Sequence, residues 1–328
     1  MKNGTDIARA ADVLRAGGVV AFPTETVYGL GADASREDAV AKIFAVKGRP
    51  RAHPLIAHVA PEILATPDFA GWARDVSPQA RALATAAWPG PLTLILKKGP
   101  RVASATTGGG DTVGIRVPAH PMALALIRAF DGGIAAPSAN RFGAVSPTTA
   151  AHVIADLGGD VDYVLDGGPC SVGVESTIVD MSRGAAVLLR PGGMPREAIE
   201  AITGPLAMAD AHAPAAPGTL VSHYAPHARV IACAVDDIPR LLHEQRLQGA
   251  RVGILAPHSA FMRWALQGPA VIHKLPDDDA GMARELYAAM RDLDAQGVDV
   301  VIAALPPAAG LGEAVGDRLV RAAGPRET

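Results

Sequence analysis

The stretch from residue 204 to 220 constrains this chain most. Pro205, Pro214 and Pro217 stand there among alanines and glycines, with Asp210 as the only charge. It lacks the apolar periodicity of a core element and reads as a linker. The 328 residues therefore divide into a larger domain over 1–204, a linker over 205–225 and a smaller domain over 226–328. Hydrophobic residues make up 49% and charged residues 19%, so each part can bury a core and global disorder is excluded. No apolar run reaches the length of about 18 residues that a membrane span needs. The N-terminus carries no apolar signal segment. The reading is a cytoplasmic chain. Cys170 and Cys233 are its only cysteines, which excludes a disulfide framework and a Cys-rich zinc site.

Periodicity supplies the elements. Ile7, Ala10, Ala11 and Leu14 recur as one helical face over 6–16, and Gly17-Gly18 stops that helix. Val19–Phe22 is a short buried strand ended by Pro23. Ser35 is predicted to cap a helix with Val40, Ile43 and Phe44 on its inner face. Lys47 lies at the end of that helix, and Gly48 stops it. Strands are predicted at 55–59, 92–97, 113–117, 133–136, 163–165, 176–180 and 187–189. Helices are predicted at 121–130 and 195–202, and a further one opens at Ser146-Pro147 with the serine as cap. Beyond the linker, strands at 230–234, 251–256 and 298–303 alternate with helices at 236–248 and 281–296. That alternation implies a small, largely parallel sheet. Both parts are α/β, the first with a mixed sheet.

Charge is balanced overall, with a formal net of −3. Residues 1–204 hold 19 basic and 19 acidic side chains, and 226–328 hold 11 and 13. Bulk attraction to nucleic acid is excluded, and the 4% aromatic content argues against a strong RNA-stacking surface. The distribution is uneven, however. Between Asp38 and Glu62 there is no acid, yet Lys42, Lys47, Arg49 and Arg51 fall there with His53 and His58. This is a local anion site or a solvated basic turn. The chain has neither a P-loop nor a G-x-G-x-x-G after its first strand. His223 and His227 are separated by Tyr224-Ala225-Pro226, and the proline spoils a helical metal pair. Four segments gather small hydrogen-bonding side chains beside Gly or Pro: 23–31, 47–55, 137–140 and 173–177. In an α/β sheet such loops collect at strand ends, where ligands bind.

The same segments carry a resemblance. FPTETVYGLGA (22–32), KGRP (47–50), HPL (53–55), WPGPLT (88–93), GIRVPAHP (114–121), APSAN (136–140), SPT (146–148), GVESTIVD (173–180), LLRPGG (188–193), HYAP (223–226) and GLGEAV (310–315) run in order along the chain. Together they resemble the threonylcarbamoyl-AMP synthases in their two-domain form. That form has a YrdC-like catalytic domain, a linker and a C-terminal domain.

The resemblance implies a twisted mixed-sheet YrdC-like domain with a second, smaller Rossmann-like α/β domain. It implies that ATP, accompanied by Mg²⁺, reacts with L-threonine and bicarbonate to give threonylcarbamoyl-AMP and pyrophosphate. Downstream tRNA threonylcarbamoyl-transfer proteins would then use the adenylate to make N6-threonylcarbamoyladenosine in tRNA. Direct tRNA binding would be weak, and no membrane is involved. By resemblance, Lys47, Arg49, His53, Thr112, Ser138, Asn140, Ser146, Arg190, His223 and Tyr224 fall on the ATP side. Thr24, Thr26, His58, Arg116 and Ser176 fall on the threonine side. Lys47 and Arg49 are the catalytic candidates. His53 stands where many relatives carry Asn. The general base is left open among His58, Glu25 and the carbamate itself. Two other readings are a nucleic-acid-binding module and a carbamoyl transferase acting on another acceptor. A threonine-dependent release of pyrophosphate separates them from the first.

Overall fold

The computed structural model describes residues 2–262, 264 and 269–325. They form two compact units. The first comprises 1–142, 147–171 and 175–219, and the second comprises 143–146, 172–174 and 220–328.

The first unit holds β1 (Asn3–Gly4), α1 (Ile7–Arg15), β2 (Val20–Phe22), β3 (Gly29–Asp33), α2 (Glu37–Lys47), β4 (Ile56–His58), β5 (Ala73–Arg74), α3 (Pro78–Ala87) and β6 (Leu92–Lys98). It continues with β7 (Thr112–Arg116), α4 (Pro121–Phe130), β8 (Ile134–Ala136), α5 (Ala150–Leu157), β9 (Tyr163–Leu165), β10 (Thr177–Asp180), β11 (Val187–Arg190), α6 (Arg196–Thr203) and β12 (Ala207–Met208). The strands join in one mixed sheet in the order β1-β9-β2-β3-β8-β4-β7-β6-β10-β11-β12, with β5 paired to β6.

Side-chain alternation assigns the two faces of the sheet. Leu55, Ala57 and Val59, Leu92, Leu94 and Leu96, and Val113, Ile115 and Val117 all enter the main core. There they meet Val40 and Ile43 of α2, Leu83 of α3, Val153 of α5 and Ile199 of α6. On the opposite face, α1 and α4 bury Ala10, Leu14, Leu126 and Ile127 against Val20, Phe22 and Ile134. The central strands turn Ile56, Ile95 and Ile178 to a separate small cluster. His58, Thr93 and Arg116 fall on that same alternation. His58 is in register with Arg116, and Arg116 follows the Ile115–Leu94 pair. A polar row therefore crosses three neighbouring strands, and β4 and β7 lie side by side only through long-range pairing.

Helix ends follow local chemistry. Asp6 caps α1 by accepting from the Arg9 N–H at 3.0 Å, an interaction worth about 1 kcal/mol. Gly48 takes a left-handed conformation (φ 64°) and stops α2 directly after Lys47.

Three expectations are corrected. Ser35 does not cap α2. Its hydroxyl donates to Asp33 Oδ1 at 2.6 Å, and the helix starts one residue beyond Arg36. Ser146-Pro147 does not open a helix. α5 starts at Ala150, capped by Thr149, which accepts from the His152 N–H. The glycine-bearing end of segment 23–31 is β3, where a Cβ at Gly31 would come within 2.5 Å of Ile134 and 2.8 Å of Phe22, and one at Gly29 within 3.2 Å of Phe22. Helix α3 went unread in the sequence.

The second unit holds β13 (Arg229–Cys233), α7 (Ile238–Leu247), β14 (Val252–Pro257), α8 (His258–Phe261), β15 (Val271–Leu275), α9 (Asp279–Ala295), β16 (Val300–Ala304) and α10 (Leu311–Ala322). Its sheet runs β13-β16-β14-β15 with every pair parallel. At the N-terminus of α10, Gly310 adopts φ 55°. A side chain there would come within 3.2 Å of Asp279 Oδ2. The chain's own carboxylate thus lies where the helix dipole favours an anion. Asp278 caps α9 by accepting from the Gly281 N–H at 2.7 Å. No described helix is long and apolar enough to cross a membrane.

Candidate active site

Lys47 is buried at the last turn of α2. Its Nζ donates to the carbonyl oxygen of Ser138 at 2.6 Å and to that of Asn140. The loop after β8 therefore folds around one amine. That loop is fixed from its other side: Leu30 N–H donates to Pro137 O at 2.9 Å, and Ala139 N–H to Tyr28 O at 2.8 Å. Burial, and secondly the charge of Arg49, hold the Lys47 pKa well below the usual lysine value. Arg49 Nη2 donates to Pro54 O at 3.1 Å, and its guanidinium lies 5.6 Å from the Phe142 ring centre. His53 meets the same ring edge-to-face at 5.5 Å. Burial and Arg49 lower the pKa of His53 as well.

A second cluster forms around Arg116, which ends β7. Its Nη2 lies 2.7 Å from Glu25 Oε1, with both side chains buried. The pair is an ion contact and is not aligned as a hydrogen bond. Nη1 donates to Thr26 Oγ1 at 2.9 Å, and Nε points to Gly90 O at 3.4 Å. Thr26 Oγ1 is 2.8 Å from Thr24 Oγ1, and Thr24 donates onward to Val27 O at 2.6 Å. Thr24 also accepts from the N–H groups of Thr26 and Val27. Its hydroxyl is therefore spent on building the turn, and Thr26 is the hydroxyl that meets the guanidinium.

His58 is fully within the fold. Burial, then Arg116, drive its pKa down to about 3, so the ring is neutral. Its Nδ1 faces Ile56 O at 3.2 Å, and the ring meets Phe22 edge-to-face at 5.7 Å. Ser176 Oγ is 2.8 Å from Thr93 Oγ1. Arg190 Nη2 donates to Ser176 O at 2.8 Å, and Nη1 donates to Pro217 O of the linker at 2.8 Å.

The fold thus gathers Lys47 with Ser138 and Asn140, Arg49 with His53, Thr26 with Arg116, and Ser176 with Arg190. Thr112 is not in these groups. It opens β7 while Arg116 closes it, about 13 Å apart along an extended strand. Ser146 is buried in the segment 143–146, which belongs to the second unit. His223 and Tyr224 belong to the second unit too. Tyr224 has φ 63° and stacks at 5.9 Å on Tyr287, with the Arg318 guanidinium 5.0 Å from its ring. Sequence reasoning missed Thr93 and Phe142, and it gave Glu25 no partner. A lone acid in a threonine-rich loop was the available signal for Glu25.

The first unit is a mixed α/β sheet with buried cations, and the second is a small parallel α/β unit. Residues 12–192 match the YrdC-like family model described as telomere recombination. Residues 194–324 match the model of the threonylcarbamoyl-AMP synthase C-terminal domain. The threonylcarbamoyl-AMP synthase of Bacillus subtilis is 43% identical, covering 99% of this chain and 94% of its own length. That of Pyrococcus abyssi is 42% identical, over 97% and 94%. A crystal structure of the P. abyssi protein complexed with L-threonine superposes with a TM-score of 0.88 at 39% identity, covering 98% of this chain and 97% of that one. This chain belongs to the two-domain threonylcarbamoyl-AMP synthase family.

Proposed function

We propose that this chain makes threonylcarbamoyl-AMP and pyrophosphate from L-threonine, bicarbonate and ATP, supplying the adenylate for N6-threonylcarbamoyladenosine formation in tRNA. The observation that carries the reading is the pair of distinct cationic centres in the first unit. Lys47 is held by carbonyl oxygens, and Arg116 is held by a carboxylate and a hydroxyl.

The chemistry needs two such centres. The threonine amine attacks the carbon of bicarbonate with loss of water, or adds to carbon dioxide derived from it with loss of a proton, to form a carbamate. A carbamate oxygen then attacks the α-phosphorus of ATP, and the bond to the pyrophosphate oxygen breaks. Three anions must be held together, and positioning supplies much of the rate. Lys47 and Arg49 hold the triphosphate, the first as a point charge and the second as a fork. Magnesium carried by the phosphates of ATP would neutralise part of their charge. Ser138 and Asn140 shape the nucleotide side. Arg116 takes the threonine carboxylate with two parallel N–H groups, and Thr26 fixes the plane of its guanidinium. His58 and Ser176 lie on the threonine side. Both oxygens of Glu25 are engaged, Oε1 by Arg116 and Oε2 by the Ala119 N–H at 3.0 Å. That makes Glu25 a poor base. His58 is neutral, with its Nδ1 on a carbonyl. Shielding from water protects a carbamate and an acyl-phosphate anhydride.

The test is direct. The protein is incubated with MgATP, bicarbonate and L-threonine, and the adenylate and pyrophosphate are measured. Release of both that requires threonine and bicarbonate is expected. Pyrophosphate release indifferent to threonine would overturn the reading.

A further inference from the structure

We propose that Glu25 sorts the anions of this site: it keeps Arg116 open to a singly charged carboxylate and closed to phosphate. The inference rests on the reading of Arg116 as the partner of the threonine carboxylate. The two cationic centres differ in what surrounds them. Among the described residues, the hydrogen-bond acceptors of Lys47 Nζ are two neutral carbonyl oxygens. Arg116 carries Glu25 at 2.7 Å, with side chains 4% and 8% exposed. Glu25 cannot swing away freely, because its other oxygen accepts from Ala119 N–H at 3.0 Å, three residues beyond Arg116. Thr26 and the Gly90 carbonyl hold the guanidinium from two further sides. Beyond these contacts Nη1 and Nη2 each carry a second N–H. The centre therefore keeps its fork but has little net charge.

That difference matters because every turnover places a carboxylate, a triphosphate and then pyrophosphate within one site. A fork of unopposed charge would prefer the most highly charged of them. Repulsion by Glu25 grows in proportion to ligand charge, so a phosphate dianion feels it about twice as strongly as a carboxylate. The shape of the fork rewards both ligands, and the charge beside it penalises one. The result is a division of labour. Phosphates go to the lysine cradle, and the amino-acid carboxylate goes to the neutralised arginine.

Inorganic phosphate is the probe. Adenylate formation is measured against varied threonine and varied ATP, with and without phosphate, in the parent protein, Glu25→Gln and Glu25→Asp. In the parent, phosphate competes with ATP and not with threonine. In Glu25→Gln it also competes with threonine. The ratio of its inhibition constant to the threonine KM falls about tenfold, the effect of one unit charge across roughly 10 Å at an effective dielectric constant near 20. Glu25→Asp keeps the charge and restores the parental pattern. A purely structural Glu25 would alter stability without creating this competition. Inhibition of Glu25→Gln that competes with ATP alone would overturn the proposal, as would competition with threonine in the parent. Should Glu25→Gln fail to fold, the parent protein still decides through the phosphonate analogue of threonine, which is expected to bind more weakly than threonine itself. Tighter binding would refute the sorting role. Failure of the underlying reading looks different: Arg116→Lys would then leave the threonine KM unchanged.

Discussion

Lys47 Nζ lies 2.6 Å from the main-chain oxygen of Ser138, 91 residues further along the chain. An amine so placed is buried among dipoles that accept its protons but carry no full charge. Its pKa is therefore well below the usual 10.5, through burial first and Arg49 second. A triphosphate brings negative charge and raises that pKa again. ATP binding is thus expected to take up protons at pH values between the depressed and the restored pKa. Calorimetry in buffers of different ionisation enthalpy measures the uptake. Lys47→Met should abolish it and weaken ATP binding by roughly 10- to 100-fold, the worth of a hydrogen bond to a charged group. Proton-neutral ATP binding by the parent protein would contradict this account.

Arg116 should tolerate lysine poorly. A lysine keeps the charge beside Glu25 but loses the fork that reads a carboxylate. Arg116→Lys is expected to raise the KM for threonine roughly 30-fold, while the KM for ATP stays near the parental value. Arg116→Met removes the charge and leaves Glu25 buried without its ion partner, at a cost of about 3–5 kcal/mol in stability. Steady-state kinetics against each substrate, with urea unfolding alongside, distinguishes the two effects.

Gly192 presses against the loop that carries Ser176. A Cβ at this position would lie 2.4 Å from Glu175 O, Ser176 C and Thr177 N, all backbone atoms that cannot rotate away. Gly192→Ala should therefore shift the loop, disturb the 2.8 Å Ser176–Thr93 contact and cost about 2–4 kcal/mol. Urea unfolding checks the cost, and the threonine KM should rise in parallel. An alanine variant as stable as the parent would show that the loop yields freely.

His58 predicts how stability responds to acid. Burial and Arg116 lower its pKa from 6.5 to about 3 in the folded chain. Below pH 6.5 the unfolded chain binds a proton that the folded chain refuses, so this group destabilises the fold increasingly as pH drops towards 3. The loss approaches about tenfold in the folding equilibrium per pH unit within that window. Comparing unfolding at about pH 7.5 and about pH 5 tests this, since His58→Gln should lose less stability between the two than the parent does. Equal losses would show that other groups govern the acid response.

Local patterns carried much of the fold. Apolar spacing placed α1 and the inner face of α2, and Gly48 marked where α2 must stop. Apart from β1, β5, β12 and β15, which went unread, the strands of both units were legible as short apolar runs. Strand β3 was not, because Gly29 and Gly31 lack the apolar signature and are there for close packing on Phe22. The helix expected at Ser146-Pro147 shows the same limit: a Ser-Pro pair is a valid helix start, but Thr149 offered another cap three residues later and tertiary packing took it.

The sequence by itself determined which side chains are available: an acid-free basic stretch with Lys47 and Arg49, a threonine-rich loop with Glu25, and Arg116 in a strand. It also determined the family, because those motifs are contiguous and survive without knowledge of the fold. Only the tertiary structure decided who faces whom. Arg116 meets Glu25 and Thr26, while Lys47 meets carbonyl oxygens. The reason is that these partners are joined by strand order and register, which are set by long-range burial of the sheet faces. The charge a ligand meets depends on the partner of each cation, and that partner lies far away in sequence.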